Sequence, residues 1–140
     1  MHTRYSSLVT LKKNTMQSSE RALQGANAIL NRASMALQIS IDELDHVAPP
    51  TTGSMANMLA SRTLLDSQRA MIQHNREWVE YSKKQVEQAK EQLKHDMIEY
   101  EKFNYLELEE IKKIMQEQKV KEAKELDEVA LMTFSRNTKG

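Results

Sequence analysis

The chain has 140 residues, 20 basic and 20 acidic side chains, and no cysteine. Zero formal charge argues against a protein that coats nucleic acid or an anionic membrane, and the lack of cysteine removes disulfide and thiol chemistry. Aromatic residues make up 5% and charged residues 29% of a chain dominated by Met, Gln, Glu, Lys, Ala and Leu, which suits a coiled coil better than a globular core. The length fits one domain or one extended element. No run approaches the roughly 18 apolar residues of a membrane span. Met1-His2-Thr3-Arg4-Tyr5 leads into polar sequence rather than a signal peptide, so the expected compartment is the cytoplasm.

The first element is a helix over about residues 3–47. Val9, Met16, Leu23, Leu30, Leu37 and Leu44 recur every seventh position, and Ser19, Ala26, Ala33, Ser40 and Val47 follow a companion row three positions on. One large row beside one mostly small row makes the narrow stripe of a coiled-coil seam. Gly25 is a mild weak point in that helix. A hinge follows at 48–53, where both prolines sit. Pro50 lacks an amide donor and pushes Pro49 out of the helical region, while Gly53 supplies turn freedom and Thr52 or Ser54 can cap the next helix.

The second helix is expected over about 54–134. Its large row is Met58, Leu65, Ile72, Val79, Val86, Leu93 and Tyr100; its companion row is Ser61, Gln68, Asn75, Ser82, Ala89, Asp96 and Phe103, largely polar, so the seam is half wet. Folding about the hinge midpoint near residue 51 pairs Leu44 with Met58, Leu37 with Leu65, Leu30 with Ile72, Leu23 with Val79, Met16 with Val86 and Val9 with Leu93. A slip of three or four residues would set large residues against small ones. The expected architecture is all-α, a long two-helix antiparallel coiled-coil hairpin in one domain spanning 1–140. At 1.5 Å per residue the helices would run about 65 Å and about 120 Å, so the second overhangs from about residue 101.

Beyond Tyr100 the apolar phase slips through Phe103, Leu106, Leu108, Ile111 and Met115, a stutter that unwinds a supercoil locally. Glu107 to Glu128 is densely charged with mixed signs, including Glu109–Lys113 and Glu117–Lys121 at favourable spacing, which reads as a solvated face. Leu126, Val129, Ala130, Thr133 and Phe134 then restore an apolar stripe. On an overhanging end such a stripe either frays or docks on a partner.

No chemistry-bearing constellation emerges. His2, His46, His74 and His95 have no second ligand at metal spacing, and the neighbours His95 and Asp96 do not face one another on a helix. There is no Gly-rich phosphate loop, nucleophile elbow or acid–base carboxylate pair, so neither enzyme activity nor a cofactor or metal is expected. Trp78, beside Val79, is half-packed at the coil edge or a binding anchor. Tyr100, Phe103, Tyr105 and Leu106 form the densest aromatic stretch. They either seal the base of the hairpin around Tyr5 and Leu8 or offer a partner-binding patch, since aromatic residues are frequent hot-spot anchors. The methionines, among them Met55, Met58, Met71, Met97, Met115 and Met132, fill the core or make adaptable contacts.

Three segments carry a family resemblance: Tyr5-x-x-Leu8-Val9-x-Leu11-Lys12-Lys13; Tyr100-Glu101-Lys102-Phe103-x-Tyr105-Leu106; and Lys124-Glu125-Leu126-Asp127-Glu128-Val129-Ala130-x-x-x-Phe134. With the Pro-Pro-x-x-Gly-Ser hinge, they resemble the flagellar export protein family FliJ, in particular the versions of Campylobacter- and Helicobacter-like bacteria. The resemblance spans nearly the whole chain. It implies a cytoplasmic antiparallel coiled coil, similar to the gamma stalk of rotary ATPases, peripheral to the inner membrane at the base of the export apparatus. It implies association with the hexameric export ATPase FliI, the cytoplasmic domain of the gate protein FlhA, FliH and escort chaperones. The role implied is coupling without catalysis. Gamma-like geometry, with the chain-end side of the coil entering the ring, nominates Leu126, Val129 and Phe134, with Tyr5 and Leu8 nearby, for the ATPase contact. The alternatives are a self-associating structural coiled coil and an export-substrate chaperone. Nucleic-acid binding ranks lowest, since the lysines alternate with glutamates.

Overall fold

The computed structural model describes residues 2–47 and 53–139. Those residues form two α-helices and no strand: α1, Ser6–Asp45, and α2, Met55–Lys139. The fold is the all-α coiled coil that the paired heptad rows predict. Pro49, Pro50 and Thr52 lie outside the described residues.

Both helix starts have chemical causes. The Thr3 hydroxyl accepts from the Tyr5 amide at 3.1 Å, and the Ser6 hydroxyl accepts from the Thr3 amide at 2.8 Å. This is a reciprocal capping arrangement with Ser6 in the place usually held by Glu or Gln. At α2 the Ser54 hydroxyl accepts from the Asn57 amide at 3.3 Å, so Ser54 is the N-cap. Gly53 just before it has φ 158°, and a Cβ there would stand 3.3 Å from the Asn57 Cβ. α1 closes with the His46 and Val47 amides bonding back to the Glu43 and Leu44 carbonyls.

Contacts divide the chain into two units: Met16–Asp96, and Met1–Thr15 with Met97–Gly140. Within Met16–Asp96 the helices pack antiparallel through a row of polar pairs. The Ser19 hydroxyl donates to the Asp96 carboxylate, which also accepts from Gln92 at 3.1 Å. The Asn75 amide donates to the Ser40 hydroxyl at 3.1 Å and to the Ala36 carbonyl at 3.3 Å. Gln68 donates to the Ser40 carbonyl at 2.9 Å and to Glu43 at 3.2 Å. Seven-residue steps between these anchors set Ala26 against Ala89 and Ala33 against Ser82. The large row beside them then sets Leu23 against Leu93, Leu30 against Val86, Leu37 against Val79 and Leu44 against Ile72. Ala33, Ile72, Val79 and Val86 are the buried apolar residues; the leucines are half-buried.

This register corrects the pairing drawn from the hinge midpoint. Leu44 does not meet Met58, nor Leu37 Leu65; α1 lies about two heptads further along α2. The reason is polar. The midpoint register would set Asn75 against Ala26 and Gln68 against Ala33, leaving buried amides without partners. The observed one gives Asn75 the Ser40 hydroxyl and Asp96 the Ser19 hydroxyl. A displacement by whole heptads keeps large residues against large ones, so the apolar pattern satisfies both registers equally.

Within the unit formed by Met1–Thr15 and Met97–Gly140, α1 again runs antiparallel to α2. Arg4 pairs with Glu110 at 3.6 Å, Ser6 donates to Glu107 at 2.8 Å, and Lys12 pairs with Glu99 at 3.7 Å. Partner contacts therefore continue to Glu110, past the residue 101 at which the overhang was expected. From Met115 to Asn137 every residue of α2 is exposed.

Candidate interaction surfaces

Two stretches of α2 present apolar side chains that α1 does not cover. The first is the tail after Ile114. Leu126 is 70% and Val129 59% exposed, and Leu131, Met132 and Phe134 are exposed as well. At 100° per residue Leu126, Val129, Ala130, Thr133 and Phe134 share one face, with Ala123 beside them. Leu131 and Met132 point the other way. Charge surrounds the stretch nearer α1, where Glu109 pairs with Lys112 at 3.5 Å. The second stretch is the start of α2 within Met16–Asp96. Met55, Leu59 and Leu64 are exposed, and Met58, in phase with Ile72 and Val79, is 55% exposed.

The aromatic cluster divides. Tyr100, Phe103 and Leu106 are half-buried, whereas Tyr105 is 62% exposed. The Lys12 and Lys102 ammonium groups stand 5.6 and 5.5 Å from the Phe103 ring centroid, near enough for cation–π attraction. Phe103 is thus held by α1. Tyr5 and Leu8 are half-buried, with the Arg4 guanidinium 5.0 Å from the Tyr5 ring. Their neighbours Arg4 and Ser6 bond Glu110 and Glu107, so Tyr5 and Leu8 lie level with that part of α2. They are not beside the tail stripe: Leu126 is about 24 Å further along the helix. The sequence had placed these two residues near the stripe; they stay apart because α2 runs far past the level of the α1 start, even though α1 pairs further along α2 than the hinge midpoint implied.

The exposed start of α2 was missed at the level of sequence. The signal was present in the large row, which continues through half-buried Leu65 to exposed Met58. Trp78 is 37% exposed beside buried Val79, at the edge of the seam. The His46 Nδ1–H donates to the Asp42 carbonyl of its own helix end, 2.7 Å away. Among the described residues no group of three His, Cys, Asp or Glu side chains could hold a metal ion, and no helix is long and apolar enough to cross a membrane.

Comparison with known proteins gave one family. The model of the flagellar FliJ protein family matches residues 1–139. No curated protein and no solved structure matched.

Proposed function

The chain belongs to the flagellar FliJ family, a component of flagellar protein export, and we propose on that premise that it acts as a gamma-like stalk and adaptor. In this reading it works in the cytoplasm, without catalysis, linking the export ATPase FliI to the cytoplasmic domain of the gate protein FlhA. FliH and escort chaperones for late substrates are further partners. One observation supports the assignment most directly. α2 continues as helix from Met115 to Lys139 beyond its last contact with α1, and it carries Leu126 and Val129 exposed on one face. A single amphipathic helix of that kind is suited to a groove or ring lined by a partner. Most helical stability comes from packing of an apolar face, so a partner that covers the stripe also stabilises it.

Leu126, Val129 and Phe134 are the proposed ATPase contacts. Tyr105, exposed, is a candidate anchor for a second partner, whereas Tyr100 and Phe103 hold α1 in place.

The test is a pull-down from flagellated cells with the full chain and with a chain ending after Gln116. Recovery of the export ATPase by the full chain alone is the expected result. Recovery by both chains moves the contact into the paired region. If neither chain recovers the ATPase or the gate protein, a self-associating coiled coil is the better account.

A further inference from the structure

We propose that α1 has a second register on α2, about two heptads closer to Met55, and that the protein exchanges between the two. Four observations lead there. First, the seam on α2 is longer than the part that α1 uses. Met58 and Leu65 continue the row of Ile72, Val79 and Val86, and Ser61 continues the row of Gln68, Asn75 and Ser82; Leu65 and Ser61 are half-buried and Met58 is exposed. Second, the slide preserves the apolar contacts. Leu30 exchanges Val86 for Ile72, and Leu37 exchanges Val79 for Leu65, so large residues remain against large residues.

Third, the Ser82 hydroxyl is buried and has no hydrogen-bond partner in the observed register, where it stands against Ala33. In the second register it comes opposite the Ser19 hydroxyl and gains one. Against this, the buried Asp96 would lose the Ser19 hydroxyl, Asn75 would meet Ala26 and Gln68 would meet Ala33, which is why the observed register is the more populated. Fourth, the connection is long enough for both. Nine residues separate Asp45 from Met55. They reach about 30 Å when extended, while the end of α1 lies about 20 Å along the axis from Met55 in the observed register and close to it in the second.

The ion pairs that the move breaks, Arg4–Glu110 and Lys12–Glu99, join partly exposed groups and resist it little. The slide would cover Met58 in one unit. In the other it would bare Phe103, Leu106 and Ile111, lengthening the free part of α2.

The chain has no cysteine, so engineered pairs report the register cleanly. Ala33→Cys with Ser82→Cys faces itself in the observed register. Ala33→Cys with Gln68→Cys faces itself only in the second, since in the observed one these positions are about 21 Å apart, far beyond disulfide reach. In a glutathione redox buffer the first pair is expected to close fully within the chain, and the second to close within the chain at a smaller but measurable yield. Closure of the first pair with none of the second overturns the proposal. Spin labels at exposed Gln38 and Gln88 give an independent measurement without touching the seam. They are expected to show a second distance population about 21 Å longer along the axis. That population grows severalfold when Asn75→Ala removes the bond to Ser40. A single short distance in both proteins, with helicity retained, overturns it as well.

Discussion

Ser82 carries a hydroxyl that is buried and makes no hydrogen bond. Such a group has left water without compensation, which costs on the order of 1–3 kcal/mol, and Ala is also the better helix former. Ser82→Ala is expected to raise stability by about 1 kcal/mol in urea denaturation followed by circular dichroism; a loss of stability would mean the hydroxyl has an acceptor. Ser19 is the opposite case, donating to the buried Asp96 carboxylate. Ser19→Ala leaves that carboxylate with Gln92 but without its hydroxyl donor, and is expected to cost about 1.5–3 kcal/mol. An unchanged midpoint would show that the hydroxyl contributes nothing to the pairing. The two variants remove the same atom from the same seam, and their opposite signs follow from whether the oxygen has a partner.

At the scale of the element, α1 contains one avoidable weakness. Gly25 is exposed in mid-helix, and a Cβ there would meet nothing within 4 Å. Gly25→Ala is expected to stabilise the fold by about 0.5–1 kcal/mol through the entropy of the unfolded chain, read as a higher melting temperature. The helices themselves were legible because seven-residue rows, Ser54 at the cap and the proline pair are local signals. Their mutual register was not, because a heptad repeat is nearly unchanged by translation along itself. What breaks that symmetry is sparse: the hydroxyls of Ser19 and Ser40 and the polar groups of Asp96 and Asn75. Matching those four residues across the seam would have given the observed pairing, where the hinge midpoint did not. The start of α1 was likewise under-read, since Arg4, Ser6 and Lys12 find carboxylates on α2 well past residue 101.

For the whole molecule, the family and its place in flagellar export were legible from motifs, while the exposure of the nominated residues was legible only in part. The stripe at Leu126 and Val129 is exposed as its spacing suggested; the aromatic cluster is split, because Phe103 has Lys12 over its ring and Tyr105 does not face α1. The residues that ending the chain after Gln116 removes are exposed as far as Asn137, so the melting midpoint is expected to stay within about 2 °C of the full chain. A larger fall would show that the tail packs on its own protein rather than waiting for another. Trp78, the sole tryptophan, lies at the edge of the seam in Met16–Asp96. The molecule therefore carries a built-in optical reporter for that unit alone. Its emission should follow the shifts caused by Ser82→Ala and Ser19→Ala and ignore the loss of the tail, while the ellipticity, which counts every helical peptide, falls with each residue removed.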